Sequence, residues 1–136
     1  MTAVVEVIEG ALQVRLPGVP ASVREARALV REALNGNPAE DAAEVCVSEL
    51  VTNAIAHTRS GEPGGAVTVT VQPGPGWAVI RVTDAGAVRA PVLAGGPPAT
   101  TEHGRGLRII GALAAEWGTE GDAAGRVVWC LVRGGL

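Results

Sequence analysis

A helix-like stretch in the middle of the chain carries two polar side chains among apolar ones. In "SELVTNAIAHT", residues 48–58, Glu49 and Asn53 stand four positions apart. On an α-helix, which turns about 100° per residue, the two lie about 40° apart on the same side. A carboxylate beside an amide oxygen can serve as a general base and as a ligand of a hard cation. On this helix alone, a polar boundary that reaches water explains the pair more simply, and both interpretations stay open.

The residues around this pair divide into an apolar side and a polar side. The apolar side carries Ala43, Cys46, Val47, Leu50, Val51 and Ala54, and the polar side carries Asp41, Glu44, Ser48 and Thr52. Glu49 and Asn53 fall between the two sides, at the edge of the expected core. A carboxylate at such an edge is costly unless a charged or hydrogen-bonding group meets it.

An acidic residue comes directly after a predicted strand in "VTDAGA", residues 82–87, with a glycine two positions later. Asp84 would place a carboxylate at the end of a sheet, and Gly86 would let a ligand approach the backbone. The same Asp-x-Gly sequence is also common in ordinary turns, and that explanation remains open.

A glycine-rich segment, "HGRGL" at residues 103–107, comes directly before a predicted helix. Backbone N–H groups at Gly104 and Gly106, with Arg105 between them, would form an anion site at the positive end of that helix. A plain glycine-rich helix entry is the alternative. The segment is not a dinucleotide-binding fingerprint, because the third glycine and a following βαβ unit are missing.

Periodicity predicts a two-layer α/β (α+β) sandwich, with a mostly antiparallel sheet and three helices on one face. Ser22 with Glu25 fits a capping box, and Asn37 is the expected N-cap of the second helix. No internal repeat or boundary divides the chain, so residues 1–136 are expected to form a single domain. The expected elements are strands at 3–8, 11–16, 66–72, 77–83 and 125–134, and helices at about 22–34, 38–57 and 105–116. The segment 85–103, rich in Ala, Gly and Pro, is predicted to be a functional loop or lid.

Composition excludes several functional classes. All 11 basic residues are arginine, so a P-loop lysine, an ordinary protein-kinase lysine and a Schiff-base lysine are absent. A net charge of −3 with dispersed arginines gives no reason to expect nucleic-acid binding. Cys46 and Cys130 lack metal-site spacing and are expected to be buried thiols.

The same composition bears on location. No apolar run approaches the roughly 20 residues of a membrane span, so no membrane association is expected. The N-terminus lacks the basic region of a secretory signal, which predicts a cytoplasmic protein.

The order of these motifs resembles the GHKL ATPase superfamily, in which they are the N box, the G1 box and the G2 box. The stretches "VSELVTNAIAHT", "GRGLRIIGALAAEWG" and "GRVVW" are similar to the small anti-sigma factor serine/threonine kinases. This similarity extends over about residues 20–133. It implies the Bergerat ATP-binding fold, with ATP and Mg²⁺ as cofactors.

The resemblance also implies a role for each matched residue. Glu49 would be the general base, and Asn53 would bind the Mg²⁺ that bridges the phosphates. Asp84 would accept a hydrogen bond from the adenine amino group, and Gly86 would let the base pack on the backbone. The phosphates would be enclosed by Gly104, Arg105, Gly106 and Leu107. Because the chain has no lysine, Arg105 is the first candidate for additional positive charge and His57 is the second, with its role left open.

Two departures from the family pattern concern the nucleotide site. Ala87 stands where the G1 box often has a second glycine. Arg126 stands before the last strand, in "GRVVW", where many relatives carry a hydroxyl near the adenine site. The predicted lid is also rich in proline and has no Lys or Arg after Arg89. Together these departures favour ATP binding over efficient phosphoryl transfer.

The resemblance therefore implies a serine/threonine protein kinase that regulates a sigma factor and is switched by a STAS-type anti-anti-sigma protein. One alternative is a nucleotide-binding module that regulates a protein partner by binding alone. Another is an α/β domain without a nucleotide site. Dimerisation is common among the proteins that the chain resembles, and a homodimer is among the states that the resemblance allows.

Overall fold

Six strands and two α-helices make up the computed structural model, which describes residues 4–86, 113–122 and 124–134. The helices are α1, Ser22–Ala33, and α2, Glu40–His57, and a one-turn 3-10 helix follows at Arg59–Gly61. The strands are β1 Val5–Ile8, β2 Ala11–Pro17, β3 Ala66–Gly74, β4 Trp77–Asp84, β5 Ala114–Asp122 and β6 Gly125–Arg133.

The strands form one sheet in the order β1-β2-β3-β4-β6-β5, and each neighbouring pair is antiparallel. Alternate residues of each central strand are buried, as the period of two requires. Val69 lies opposite Val82, and Val71 lies opposite Ile80, and all four are buried. Because directly opposite residues share a face, these rows define the side of the sheet that forms the core.

Both helices cover that side of the sheet. Val30 of α1 and Val47 and Val51 of α2 are fully buried, so the apolar stripe predicted for α2 is confirmed. Ser48, predicted to face solvent, is buried because α1 packs beside it and Arg27 Nε donates a hydrogen bond to Ser48 Oγ (2.5 Å). Neither helix in the described part of the chain is long and apolar enough to cross a membrane.

The two-layer α+β sandwich with its antiparallel sheet is confirmed, but the prediction of three helices is not. The described residues contain two α-helices, and residues 105–112 of the predicted third helix lie outside them. Residues 114–116, its predicted last turn, belong to β5 and pair with β6. Pairing with an apolar neighbouring strand outweighs the helix propensity of an alanine-rich segment, which local sequence alone overstates.

The predicted helix starts differ from the observed ones. Ser22 Oγ does not cap α1 and donates instead to the carbonyl of Pro17 (2.6 Å). Asn37 Oδ1 accepts from Ala39 N (2.9 Å), and α2 begins at Glu40 rather than at residue 38. Both side chains form hydrogen bonds with the segment that precedes a helix, and neither caps the helix as predicted.

Candidate functional site

Helix α2 runs alongside β4 and is fastened at both ends. At its start, Asn37 Nδ2 donates to the carbonyl of Gly74 (2.9 Å), just before β4 begins. Beyond its end, Arg59 N donates to the carbonyl of Gly86 (3.0 Å), just after β4 ends. The helix therefore points along β4, and its C-terminal half approaches the Asp84 end of the sheet.

A contact between two buried thiols shows which part of α2 lies against which part of the sheet. Cys46 of α2 hydrogen-bonds with Cys130 of β6, and Cys130 lies opposite Ile80 of β4. That contact and complete burial raise the pKa of Cys130 well above its usual range. Asn53 is seven helical residues beyond Cys46, about 10 Å, and Asp84 is four strand residues beyond Ile80, about 13 Å. Asn53 and Asp84 thus lie at similar distances, measured along α2 and β4, from the contact between the two thiols.

Glu49 and Asn53 occupy the boundary that the helical pattern predicts. Both residues are half-buried, between the buried stripe of α2 and its exposed residues, and the amide nitrogen of Asn53 is buried. Glu49 lies one turn before Asn53, near Cys46, whose thiol is affected by the Glu49 charge. This edge of α2 therefore presents a carboxylate and an amide side by side.

Asp84 is a buried carboxyl group at the last position of β4, with 8% of the residue exposed. Its Oδ1 accepts a hydrogen bond from Gly86 N (2.6 Å). Gly86 has φ of +85°, a conformation in which residues with a side chain are strained, so glycine is required for this turn. Burial raises the pKa of Asp84, while the Gly86 N–H and the nearby Arg126 charge oppose that rise.

Arg126 lies directly across from Asp84 in the register of β4 and β6, and it too is 8% exposed. Among the described residues, Asp84 and Arg126 are the two charged ones that are buried. The charge of Arg126 acts on the Asp84 carboxyl group, an effect that the predicted loss of a hydroxyl at this position does not anticipate.

A hydroxyl network joins the end of α2 to Asp84, and the sequence analysis does not predict it. Thr58 Oγ1 accepts from Ser60 N (3.0 Å), and the fully buried Ser60 Oγ accepts from Ala85 N (2.9 Å). Hydroxyl residues directly after a helix are the sequence signal for such turns. The network fixes the backbone on which Asp84 and Gly86 stand.

The structure describes part of the predicted site. Glu49 and Asn53 lie on the half of α2 that leads to Asp84 and Gly86, and His57 is exposed in the last turn of the same helix. The predicted lid, except for residues 85–86, lies outside the described residues. Four more predicted site residues also lie outside them: Gly104, Arg105, Gly106 and Leu107.

The donor groups limit which ligands this region can hold. No cluster of three or more His, Cys, Asp or Glu side chains suited to a metal ion occurs in residues 4–86, 113–122 and 124–134. Glu49 and Asn53 supply two oxygen donors one turn apart on the same edge of α2. Such a pair suits Mg²⁺ that is held mainly by phosphates and water, which is how proteins commonly bind that ion.

Comparison with known proteins assigns the chain to a family. The family model of the histidine kinase-like ATPase domain matches residues 16–131, which include α2 and the Asp84 end of the sheet. The chain is also 37% identical to an uncharacterized protein of Streptomyces coelicolor over 84 residues, which cover 62% of this chain and 78% of that relative. The family match spans most of the sequence and supports the GHKL superfamily that the motifs resemble. The chain belongs to the histidine kinase-like ATPase domain family.

Proposed function

We propose that this protein binds ATP with Mg²⁺ and transfers the γ-phosphoryl group to a serine of a protein partner, as an anti-sigma-factor-type serine/threonine kinase. Membership of the histidine kinase-like ATPase family supports ATP as the nucleotide. The observation that carries the proposal is the buried Asp84 carboxyl group at the end of β4, the end of the sheet to which the C-terminus of α2 is joined.

Asp84 recognises the base. An ionised carboxylate offers about four lone-pair sites, and the Gly86 N–H uses one of them. The remaining capacity accepts the adenine amino group, which is a hydrogen-bond donor. Gly86 has no side chain to obstruct a flat ring, and the base packs against its backbone.

Asn53 and Glu49 act at the phosphate end. The Asn53 amide oxygen would hold Mg²⁺. ATP supplies the transferable phosphoryl group, and Mg²⁺ would neutralise phosphate charge. Glu49 accepts the proton of the serine hydroxyl as its oxygen bonds to the γ-phosphorus and the bond from that phosphorus to the bridging oxygen of ADP breaks.

The proposed partners are a sigma factor, a STAS-type anti-anti-sigma protein, or both. Phosphorylating the STAS-type partner on serine adds negative charge and changes its binding, which is the usual physical basis of such a switch. The support for these partners is the similarity of the N box and G2 stretches to anti-sigma factor kinases.

The test separates binding from transfer. Thermal unfolding with Mg-ATP at about 100 times its Kd should show a stabilisation of about 2.7 kcal/mol. Co-purified partners are then incubated with γ-labelled ATP, and the phosphorylated residues are mapped. Glu49→Ala should keep the thermal shift and abolish serine labelling.

Glu44→Ala is the matched control for that test. Glu44 is on the same helix and forms a surface ion pair with Arg31 (2.9 Å), which contributes at most about 1 kcal/mol. It should label partners at the wild-type rate. Normal labelling by Glu49→Ala would show that Glu49 is not the base.

The second candidate is a nucleotide-binding module that regulates its partner by binding alone. The sequence Asp84-Ala85-Gly86-Ala87 favours it, because the G1 stretch lacks its second glycine. This candidate requires that Mg-ATP changes the affinity for the partner while no phosphoserine forms. The labelling experiment distinguishes the two candidates directly.

A further inference from the structure

The buried charges of the described residues form one adjacent pair. Asp84 and Arg126 are direct partners across β4 and β6, and each is 8% exposed. They follow the alternation of Ile80 and Cys130, so both lie on the side of the sheet that the helices cover. Burying a charge is costly unless a group of opposite sign compensates it, so these two residues depend on each other.

We propose that Arg126 is a positioning residue for the nucleotide base, and that it acts by holding the Asp84 carboxyl group ionised. The inference rests on the proposed function, in which Asp84 accepts a hydrogen bond from the adenine amino group. It adds a role for a residue that stands where many relatives carry a hydroxyl.

The charge state of Asp84 decides which bases it can bind. An ionised carboxylate accepts hydrogen bonds through both oxygens, whereas the protonated acid turns one of them into a donor. The adenine amino group needs an acceptor. Burial favours the protonated acid and raises the pKa of Asp84, and Arg126 opposes this together with the Gly86 N–H.

Other charged groups stand on the neighbouring elements, and Arg126 is the one that acts on the Asp84 charge. Strand β3 contains no titratable residue. The charged or titratable residues nearest in the fold are Glu49 and His57 on α2, Arg59 in the 3-10 helix, and Glu120 and Asp122 on β5. His57, Arg59, Glu120 and Asp122 are exposed, and the influence of Glu49 falls on Cys46.

The first measurement uses the protein without nucleotide. NMR titration of the Asp84 carboxyl carbon is compared between the wild type, Arg126→Met, Arg126→Gln and Arg126→Lys. Removing the positive charge should move the Asp84 midpoint upward by about one pH unit or more, and lysine should keep it near the wild-type value. Arg126→Gln keeps a polar head of similar reach, so it carries the test if Arg126→Met does not fold.

Arg133→Met is the matched control. Arg133 is on the same strand, exposed, and lies opposite Trp77 at the other end of β4. Its replacement should leave the Asp84 midpoint unchanged. A wild-type midpoint in a folded Arg126→Met or Arg126→Gln protein overturns the inference.

The second measurement is Mg-ATP affinity as a function of pH. Affinity should rise as Asp84 ionises, and in Arg126→Met the midpoint of that rise should move upward with the NMR midpoint. If the wild type binds Mg-ATP and the variant keeps its binding midpoint, Arg126 is structural and the inference fails while the proposed function stands. If the wild type binds no Mg-ATP, the proposed function fails, and the nucleotide-free titration alone shows whether Arg126 controls Asp84.

Discussion

The two ends of helix α2 are fastened to the sheet in similar ways but hold different side chains. At the first end, the neutral Asn37 amide bonds to the Gly74 carbonyl. At the second end, Arg59 N bonds to the Gly86 carbonyl and Ser60 Oγ bonds to Ala85 N, next to the buried Asp84 and Arg126.

This difference separates hydrogen bonds that only join α2 to the sheet from charged groups that need another explanation. Hydrogen bonds between neutral groups suffice to join a helix to a sheet, and the first end shows that no buried charge is needed. Charges at the second end therefore need a reason beyond joining the two elements. The nucleotide site proposed above would supply such a reason, because perturbed and buried titratable groups concentrate at functional sites.

The largest expected effect comes from breaking the charged pair. Asp84→Ala should lower the free energy of unfolding by about 1–3 kcal/mol, because it removes the acceptor of the Gly86 N–H and the carboxyl group across from the buried Arg126. It should also abolish Mg-ATP binding. Urea unfolding and calorimetry measure the two effects, and the double variant Asp84→Ala with Arg126→Met should recover part of the stability but none of the binding. Full stability in Asp84→Ala would show that the pair is not coupled.

The corresponding change at the other end of α2 should be smaller and should affect stability alone. Asn37→Ala removes the hydrogen bonds to the Gly74 carbonyl and from Ala39 N, at a cost of about 1–2 kcal/mol. The affinity for Mg-ATP should stay within about twofold of the wild type. A large loss of affinity would show that this end also belongs to the site.

Ser60→Ala should affect both stability and Mg-ATP binding, and its effect on stability should be smaller than that of Asn37→Ala. It removes the hydroxyl that accepts from Ala85 N and costs about 1 kcal/mol. Because Ala85 lies between Asp84 and Gly86, Mg-ATP affinity should fall by a few-fold as well. Thermal unfolding and calorimetry on the same samples test this, and unchanged affinity would make the hydroxyl network purely structural.

The smallest effect is a difference in pH dependence. Burial raises the folded-state pKa of Asp84 above its ordinary value of 3.8, so the folded protein binds this proton more tightly than the unfolded chain. Its contribution to stability is therefore full below pH 3.8 and is lost as the pH rises through the folded-state pKa. Mg-ATP affinity should increase over the same range. The free energy of unfolding and the Mg-ATP affinity, both measured from pH 4 upward, should change with pH in opposite directions. Asn37→Ala keeps Asp84, so it should show the same two slopes as the wild type.

The parts of this molecule that the sequence predicts are those with a strong local period. The alternation in β3 and β4 and the apolar stripe of α2 place the hairpin, the helix and the boundary position of Glu49 and Asn53. The strand at residues 114–116 depends on pairing with β6, and Ser22 bonds to a preceding carbonyl rather than capping its helix. Ser60 and Arg126 matter because of partners on other elements. Such long-range contacts leave no periodic pattern in the chain.

The most direct test of the central claim is calorimetric titration of Mg-ATP into the wild type, Asp84→Asn and Asn37→Ala. Asn has nearly the size of Asp but cannot carry its charge, so it isolates the role of the carboxylate. The wild type and Asn37→Ala should bind with similar affinity, and Asp84→Asn should bind at least about tenfold more weakly, since a hydrogen bond to a charged group contributes about 1.5–3 kcal/mol. No binding by the wild type, or equal binding by Asp84→Asn, would contradict the assignment of this end of α2 as the nucleotide site.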